Sequence, residues 1–284
     1  MIYVMSDIHG NRRRFDSVME QIRLQPEDHL YVIGDVVDRH PDGISILLQL
    51  MGMKNVTMLL GNHEYMMLNA IDYFEKYSKF EREHNKRIWQ RNGCDPTVEA
   101  FQALDDATKE AVIMYLMSLP IAKTIIVGHR RYMLIHAAPP KLYDPWNGYY
   151  ASETEFCVWY RIGFDEKLPK GMTYVIGHTP TNHFVEREEI RRRLRQDIWD
   201  EPERNPDIMS IWQGDHRICI DCGSGYPDTF NPEYGAMGRL ACLRLDDMKE
   251  FYSREKFRRR RTKQKHEAEG EKKTNTADSA NDRD

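Results

Sequence analysis

Ile2-Tyr3-Val4-Met5-Ser6-Asp7-Ile8-His9-Gly10 runs from four strand-forming residues straight into an acid, a histidine and a glycine. The apolar run predicts a buried strand, and the polar tetrad predicts the turn where the chain leaves the sheet. The pattern returns twice. Residues 30–33 lead into Gly34-Asp35-Val36-Val37-Asp38-Arg39, and residues 56–60 lead into Gly61-Asn62-His63-Glu64. In the first interval Phe15, Val18, Met19 and Ile22 mark one helical face; in the second Ile44, Leu47, Leu48 and Met51 do so, with Pro41 suited to the opening turn. Strand-helix-strand units of this length favour parallel pairing with right-handed crossovers, which puts all three tetrads on one edge of an α/β sheet. Ligands bind at that edge in open α/β sheets. One tetrad alone is ordinary turn chemistry. Three in order gather oxygen and nitrogen donors suited to a hard or borderline divalent metal such as manganese, iron or zinc.

Two further histidines follow, in Ile135-His136-Ala137 and Gly177-His178-Thr179. The whole order resembles the calcineurin-like metallophosphoesterases, and within them the phosphoprotein phosphatase (serine/threonine) branch. The form His136-Ala137-Ala138-Pro139 is closer to the bacterial and phage lambda type than to the eukaryotic His-Gly-Gly form. The similarity extends to about Tyr252 and takes in Ile220-Asp221-Cys222-Gly223-Ser224 and Gly238-Arg239-Leu240. It implies an α/β fold, a four-layer αββα sandwich of two mixed sheets flanked by helices, with a helical insertion after the third tetrad.

The same resemblance implies a site of two divalent ions, manganese first with iron or zinc as alternatives. Asp7 and His9 would hold the first metal, Asp35 would bridge both, and Asn62, His136 and His178 would complete the second. A carboxylate suits the bridge because its two oxygens can hold cations about 3.5–4 Å apart around one hydroxide. His63 would protonate the leaving oxygen, with Asp38 orienting its ring. Arg39 and Arg161 would grip the phosphate, whose oxygens match the planar guanidinium fork. The implied reaction is hydrolysis of phosphoserine and phosphothreonine in proteins by in-line attack of a hydroxide bridging the two metals. Dinucleoside polyphosphate hydrolases and nucleotide phosphodiesterases of the same fold share such a site. A catalytically silent binding scaffold would have lost ligands or the acid histidine, and none is missing.

Composition sets the outer bounds. A length of 284 residues with 40% hydrophobic content can bury one substantial core, so residues 1–252 are expected to form one catalytic domain. The first apolar run is only a strand long, so neither a secretory signal nor a membrane span is expected and the cytoplasm is the expected compartment. Five cysteines, at 94, 157, 219, 222 and 242, make no disulfide framework, and the Cys219/Cys222 pair lacks a second pair to complete a zinc site. Residues 253–284 carry eleven Lys or Arg against seven Asp or Glu, so the overall charge of −4 leaves about −8 on residues 1–252. An acidic body disfavours nucleic acid as the main partner. The resemblance implies a phosphorylated protein or peptide as the partner, and a monomer is the favoured state. The charged tail, including Arg258 and Arg261, is expected to be disordered.

From residue 65 to about 119 the pattern turns helical, with an amphipathic stretch over residues 97–117. Within it Trp89-Gln90-Arg91-Asn92-Gly93 is similar to a segment that lies beside the substrate cleft in bacterial members of the family; Asn92-Gly93 is equally an inter-helix turn. Residues 121–127 and 132–135 predict a hairpin delivering His136, residues 174–176 a strand delivering His178, and residues 210–220 and 239–245 further strands. Residues 186–200, rich in Arg and Glu, predict a solvated helix. His40 stands where the family most often has Gly, which bears on the shape of the cleft mouth. Histidines 29, 84, 129, 183, 216 and 266 have no ligand-like context. Glu64 is expected to hold its loop near a helix start.

Overall fold

The computed structural model describes residues 1–163, 166–184, 209–214, 216–227 and 237–254. The expected helix over residues 186–200 and the tail beyond Arg254 lie outside the described residues.

Strands β1 (Ile2–Met5), β2 (His29–Val32) and β3 (Val56–Met58) pair in parallel, in sequence order, as the strand-helix-strand spacing predicts. Helices α1 (Arg12–Ile22) and α2 (Gly43–Met51) connect them. Pro41 lies before α2, whose N-cap is Asp42, so the expected place for this proline in the opening turn is corrected by two residues. On the other side of β1 the sheet continues antiparallel through β9 (Ala241–Arg244) to β10 (Lys249–Tyr252). Strand β10 was not expected, because Lys249 and Glu250 mask its pattern and only Phe251 is buried.

The second sheet has the order β4 (Ala122–Val127), β5 (Arg130–Ile135), β6 (Thr173–Ile176), β8 (Arg217–Cys219), β7 (Trp212–Gly214). Its β4/β5 and β7/β8 pairs are antiparallel and its two central pairs parallel, so both sheets are mixed.

Period-two alternation assigns each strand residue to a layer. Val4, Ile33, Leu59, Tyr132, Leu134, Val175, Ile218 and Leu243 point inward from both sheets and form the core between them. Tyr3, Met5, Leu30, Val32 and Met58 point the other way, onto Phe15, Val18, Leu47 and Leu50 of α1 and α2. Ile135, Tyr174 and Ile176 pack outward against Phe156 and Cys157 of α7 (Glu153–Trp159). The result is the four-layer αββα arrangement.

The helical insertion begins earlier than expected and is four helices: α3 (Asn62–Ile71), α4 (Lys79–Arg91), α5 (Asp95–Gln102) and α6 (Asp106–Ser118). The amphipathic stretch over residues 97–117 is broken where Asp105 caps α6, its side chain accepting the Thr108 N–H. All five cysteines are buried and free, which places Cys219 and Cys222 in the core. None of the described helices is long and apolar enough to cross a membrane.

Candidate metal centre and active site

Asp7, Asp35 and Asn62 lie just past the ends of β1, β2 and β3, and His136 and His178 just past β5 and β6 of the other sheet. The two sheets therefore meet at their strand ends. Asp7, His9, Asp35, Asp38, Arg39 and His178 all hold positive φ, between 50° and 72°. Non-glycine residues adopt this region at a cost, and they cluster where a site needs side chains aimed.

Asp35 is the centre of the arrangement. Its Oδ1 lies 3.4 Å from His136 Nε2 and accepts the His63 backbone N–H at 3.0 Å; its Oδ2 lies 3.7 Å from His9 Nε2 and 3.9 Å from His63 Nε2. One carboxylate thus faces two imidazole groups, His9 with His63 and His136 with His178, each with donor atoms close enough to surround a cation. Asp7 Oδ1 stands 3.9 Å from His9 Nε2. Asn62 Oδ1 sits between His136 Nε2 and His178 Nδ1, at 2.9 and 3.0 Å. The six residues expected as ligands are brought together, and all are buried.

Backbone carbonyls orient the imidazoles. His9 Nδ1 is paired with Val37 O at 3.2 Å, His136 Nδ1 with Ile33 O at 2.8 Å, and His178 Nε2 with Trp159 O at 3.0 Å. If each of these nitrogens carries the proton, as a carbonyl partner requires, the other nitrogen presents a lone pair to the site. Such pairing is the support a metal-ligating histidine uses.

The electrostatics divide the cluster. Burial pushes the Asp7 carboxyl well up, and the charges of Asp221 and Asp35 add to it. Burial also opposes charge on Asp35, but His136 and His63 outweigh it and hold Asp35 well below the usual carboxylate range. Burial opposes the charged form of His136, yet Asp35 overrides it and carries the imidazole up to about 9. Burial and the nearby positive groups hold His9 and His178 well below the ordinary value. Asp7 and His136 hold protons that a divalent cation displaces on binding, and the carboxylate, amide and imidazole donors then form a set of the kind manganese, iron or zinc takes, so the residues fit the metals that the resemblance implies.

Beside this cluster His63 Nδ1–H donates to Asp38 Oδ2 at 2.6 Å, and Arg39 Nη2 lies 3.2 Å from His63 Nε2. Arg161 Nη1 donates to His178 O at 3.2 Å. Both arginines line a cleft of about 290 Å³ together with Asp7, Asp35, Asn62 and His178. His40 does not line it; its N–H donates to Asp38 O at 2.9 Å.

Other side chains contribute beyond the expected site residues. Glu64 was expected at a helix start, and it is in the first turn of α3, but its carboxylate reaches across to accept the N–H groups of Asp35, Val36 and Val37 at 2.9, 2.8 and 3.3 Å. It splints the second tetrad from the third. Asp221, Tyr226 and Asn92 line the cleft, and Trp89 Nε1–H donates to Asp38 Oδ2 at 2.8 Å. Both readings of Asn92-Gly93 hold, since Asn92 caps α4 and also lines the cleft. Asp221 belongs to a stretch that the resemblance singled out, although no pattern within that stretch marks its carboxylate as part of the cleft.

A family model for calcineurin-like phosphoesterases matches residues 1–235. This chain belongs to that family. Among curated calcineurin-like relatives, it is 27% identical over 146 residues to serine/threonine-protein phosphatase 1 of Salmonella typhimurium, a match covering 51% of this chain and 62% of that protein. It is 37% identical over 68 residues to the symmetrical bis(5'-nucleosyl)-tetraphosphatase of Erwinia tasmaniensis, covering 23% of this chain and 25% of that one. The chain thus spans less than two thirds of the length of these relatives. A solved structure provisionally described as a diadenosine tetraphosphatase shares the fold at a TM-score of 0.51 and 17% identity, covering 88% of this chain and 91% of that one.

Gly34 shows how tightly the family site is built. It has φ +93°, and a Cβ there would meet Gly61 Cα at 2.6 Å and His136 Nδ1 at 2.7 Å. Gly34→Ala is expected to cost about 1–3 kcal/mol of stability from the backbone alone, and to lower metal content by displacing His136. Thermal melting and metal analysis of the purified variant check both; an unchanged melting temperature with full metal content contradicts the packing described.

Proposed function

We propose that this chain is a metal-dependent phosphomonoesterase acting on phosphoserine and phosphothreonine in proteins or peptides. The observation that carries the chemistry is the placing of Asp35 between two imidazole groups, with the His63/Asp38 pair and two arginines at the same cleft. Asp7, His9 and Asp35 would hold one divalent cation, and Asp35, Asn62, His136 and His178 the other, with manganese favoured. When bound, the cations neutralise phosphate charge and lower the pKa of water at the site.

The protein's own groups do the rest. Arg39 and Arg161 draw the phosphate into the cleft and hold its non-bridging oxygens in line for attack. Arg39 Nη2 lies 3.2 Å from His63 Nε2. A phosphate that draws Arg39 away leaves Nε2 free to carry the proton for the departing alkoxide. Asp38, fully buried, keeps Nδ1–H engaged and so holds the ring with Nε2 towards the departing oxygen.

Support for a protein substrate is the 146-residue match to a serine/threonine-protein phosphatase. The second reading, a dinucleoside polyphosphate hydrolase, is favoured by the higher identity of the 68-residue match to a tetraphosphatase. Release of inorganic phosphate from a phosphoserine peptide, measured against cleavage of diadenosine tetraphosphate, separates the two. Faster turnover of the dinucleotide by the manganese-loaded protein overturns the first reading. No turnover of any phosphate ester, with no metal bound, overturns both and leaves a binding scaffold.

A further inference from the structure

Asp38 and Arg39 are consecutive non-glycine residues with φ of 72° and 70°. A backbone held twice in succession in this region needs restraint from its surroundings. The restraint comes from one place, the corner where α4 ends and α5 begins. Asp38 N–H donates to Thr97 Oγ1 and Arg39 N–H to Gly93 O, both at 2.8 Å. Trp89 Nε1–H donates to Asp38 Oδ2, also at 2.8 Å.

That oxygen is the one that accepts His63 Nδ1–H. The other carboxylate oxygen of Asp38 is buried without a hydrogen-bond partner among the described residues. A carboxylate held only by the imidazole could turn about its own side-chain bonds and carry the ring with it. A second donor on the same oxygen removes that freedom, and a general acid needs its ring held within about 10–20° of the productive orientation. Packing alone does not call for an indole here. Trp89 is 5% exposed in the apolar core, where a phenyl ring would also pack, so the N–H is what distinguishes tryptophan.

We propose that Trp89 is a positioning residue for general-acid catalysis, fixing Asp38 and through it His63, and that the α4–α5 corner serves this purpose together with Gly93 and Thr97. The proposal rests on the reading of His63 as the proton donor. It gives the helical insertion a role in the chemical step as well as in the core.

The test compares phenyl phosphate, with a poor leaving group, and p-nitrophenyl phosphate, with a good one, using the manganese-loaded 284-residue chain. Trp89→Phe is expected to lose on the order of tenfold in kcat on phenyl phosphate, the scale of one hydrogen bond to a charged group. It should lose clearly less on p-nitrophenyl phosphate, with KM changed by no more than about twofold and metal content intact. Thr97→Val, which removes the acceptor for Asp38 N–H, should show the same substrate dependence and carries the test if Trp89→Phe does not fold. Val18→Ala opens a cavity under α1, a helix that does not form this corner; it should lower the melting temperature while leaving the ratio of the two rates unchanged. Equal losses on both substrates, a loss in KM alone, or no loss in Trp89→Phe would overturn the proposal. His63→Asn, measured alongside, tells the two failures apart. If His63→Asn discriminates between the substrates and Trp89→Phe does not, only the positioning role falls; if His63→Asn does not discriminate, the acid reading falls and this proposal with it.

Discussion

Asp35→Asn is expected to lose bound metal and, with it, on the order of 10³ or more in kcat, since metals contribute several kcal/mol of charge stabilisation in the transition state. The wild-type carboxylate presents Oδ1 to His136 and Oδ2 to His9. An amide of the same shape carries no charge, and it must aim an NH₂ group at one of these two imidazoles. That nitrogen can only donate, so it takes up a lone pair that would otherwise bind a cation. Asp7→Asn should be milder, because among the described imidazoles only that of His9 comes within 4 Å of Asp7, at 3.9 Å, so Asp7 does not bridge two of them as Asp35 does. Metal analysis of both variants after loading with manganese, together with initial rates, is the measurement. Two retained metal equivalents and near-normal turnover in Asp35→Asn would show that the bridge is wrongly assigned.

His63→Asn should keep both metals and lose on the order of 10²–10⁴ in kcat on a phosphoserine peptide, the usual contribution of a positioned general acid. The loss should be clearly smaller on p-nitrophenyl phosphate, whose leaving group needs little protonation. Distance alone does not decide the role, for His63 Nε2 is 3.9 Å from Asp35 Oδ2 and His63 stands within a possible metal-binding group with His9. Its other nitrogen supports the proposed acid role: Nδ1 is engaged by the Asp38 carboxylate at 2.6 Å, whereas His9, His136 and His178 are each paired with a neutral carbonyl. Asp38→Asn should show the same substrate dependence in weaker form. Loss of metal from His63→Asn would make this residue a ligand, and equal losses on both substrates would make it a phosphate-positioning group.

Much of this molecule is legible from residues a few positions apart. The apolar, strand-forming runs over residues 2–5 and 30–33, and the helical stripe from Phe15 to Ile22, are local signals that strand and helix impose on a short window of sequence. Parallel pairing then follows from the length of the connections, and with it the convergence of Asp7, Asp35 and Asn62 at one sheet edge. His136 and His178 were placed by resemblance to a family, and the second sheet delivers them to the same edge. Strand β10 escaped because its outward residues are charged and its core contact is a single phenylalanine.

The sequence by itself determined the α/β class, the three polar turns at the strand ends and the presence of a helical stretch after the third of them, because each depends on periodicity and turn chemistry within a short window. Only the tertiary structure decided how these parts hold one another. Glu64 reaches three N–H groups of residues 35–37, Trp89 reaches Asp38 from 51 residues away, and Asp221 enters the cleft from the second sheet. Hydrogen bonds of about 3 Å between such distant positions depend on the path that packing imposes on the whole backbone. No local pattern records that path: a tryptophan with its N–H on a buried carboxylate has the same place in a helical stripe as one that only fills the core.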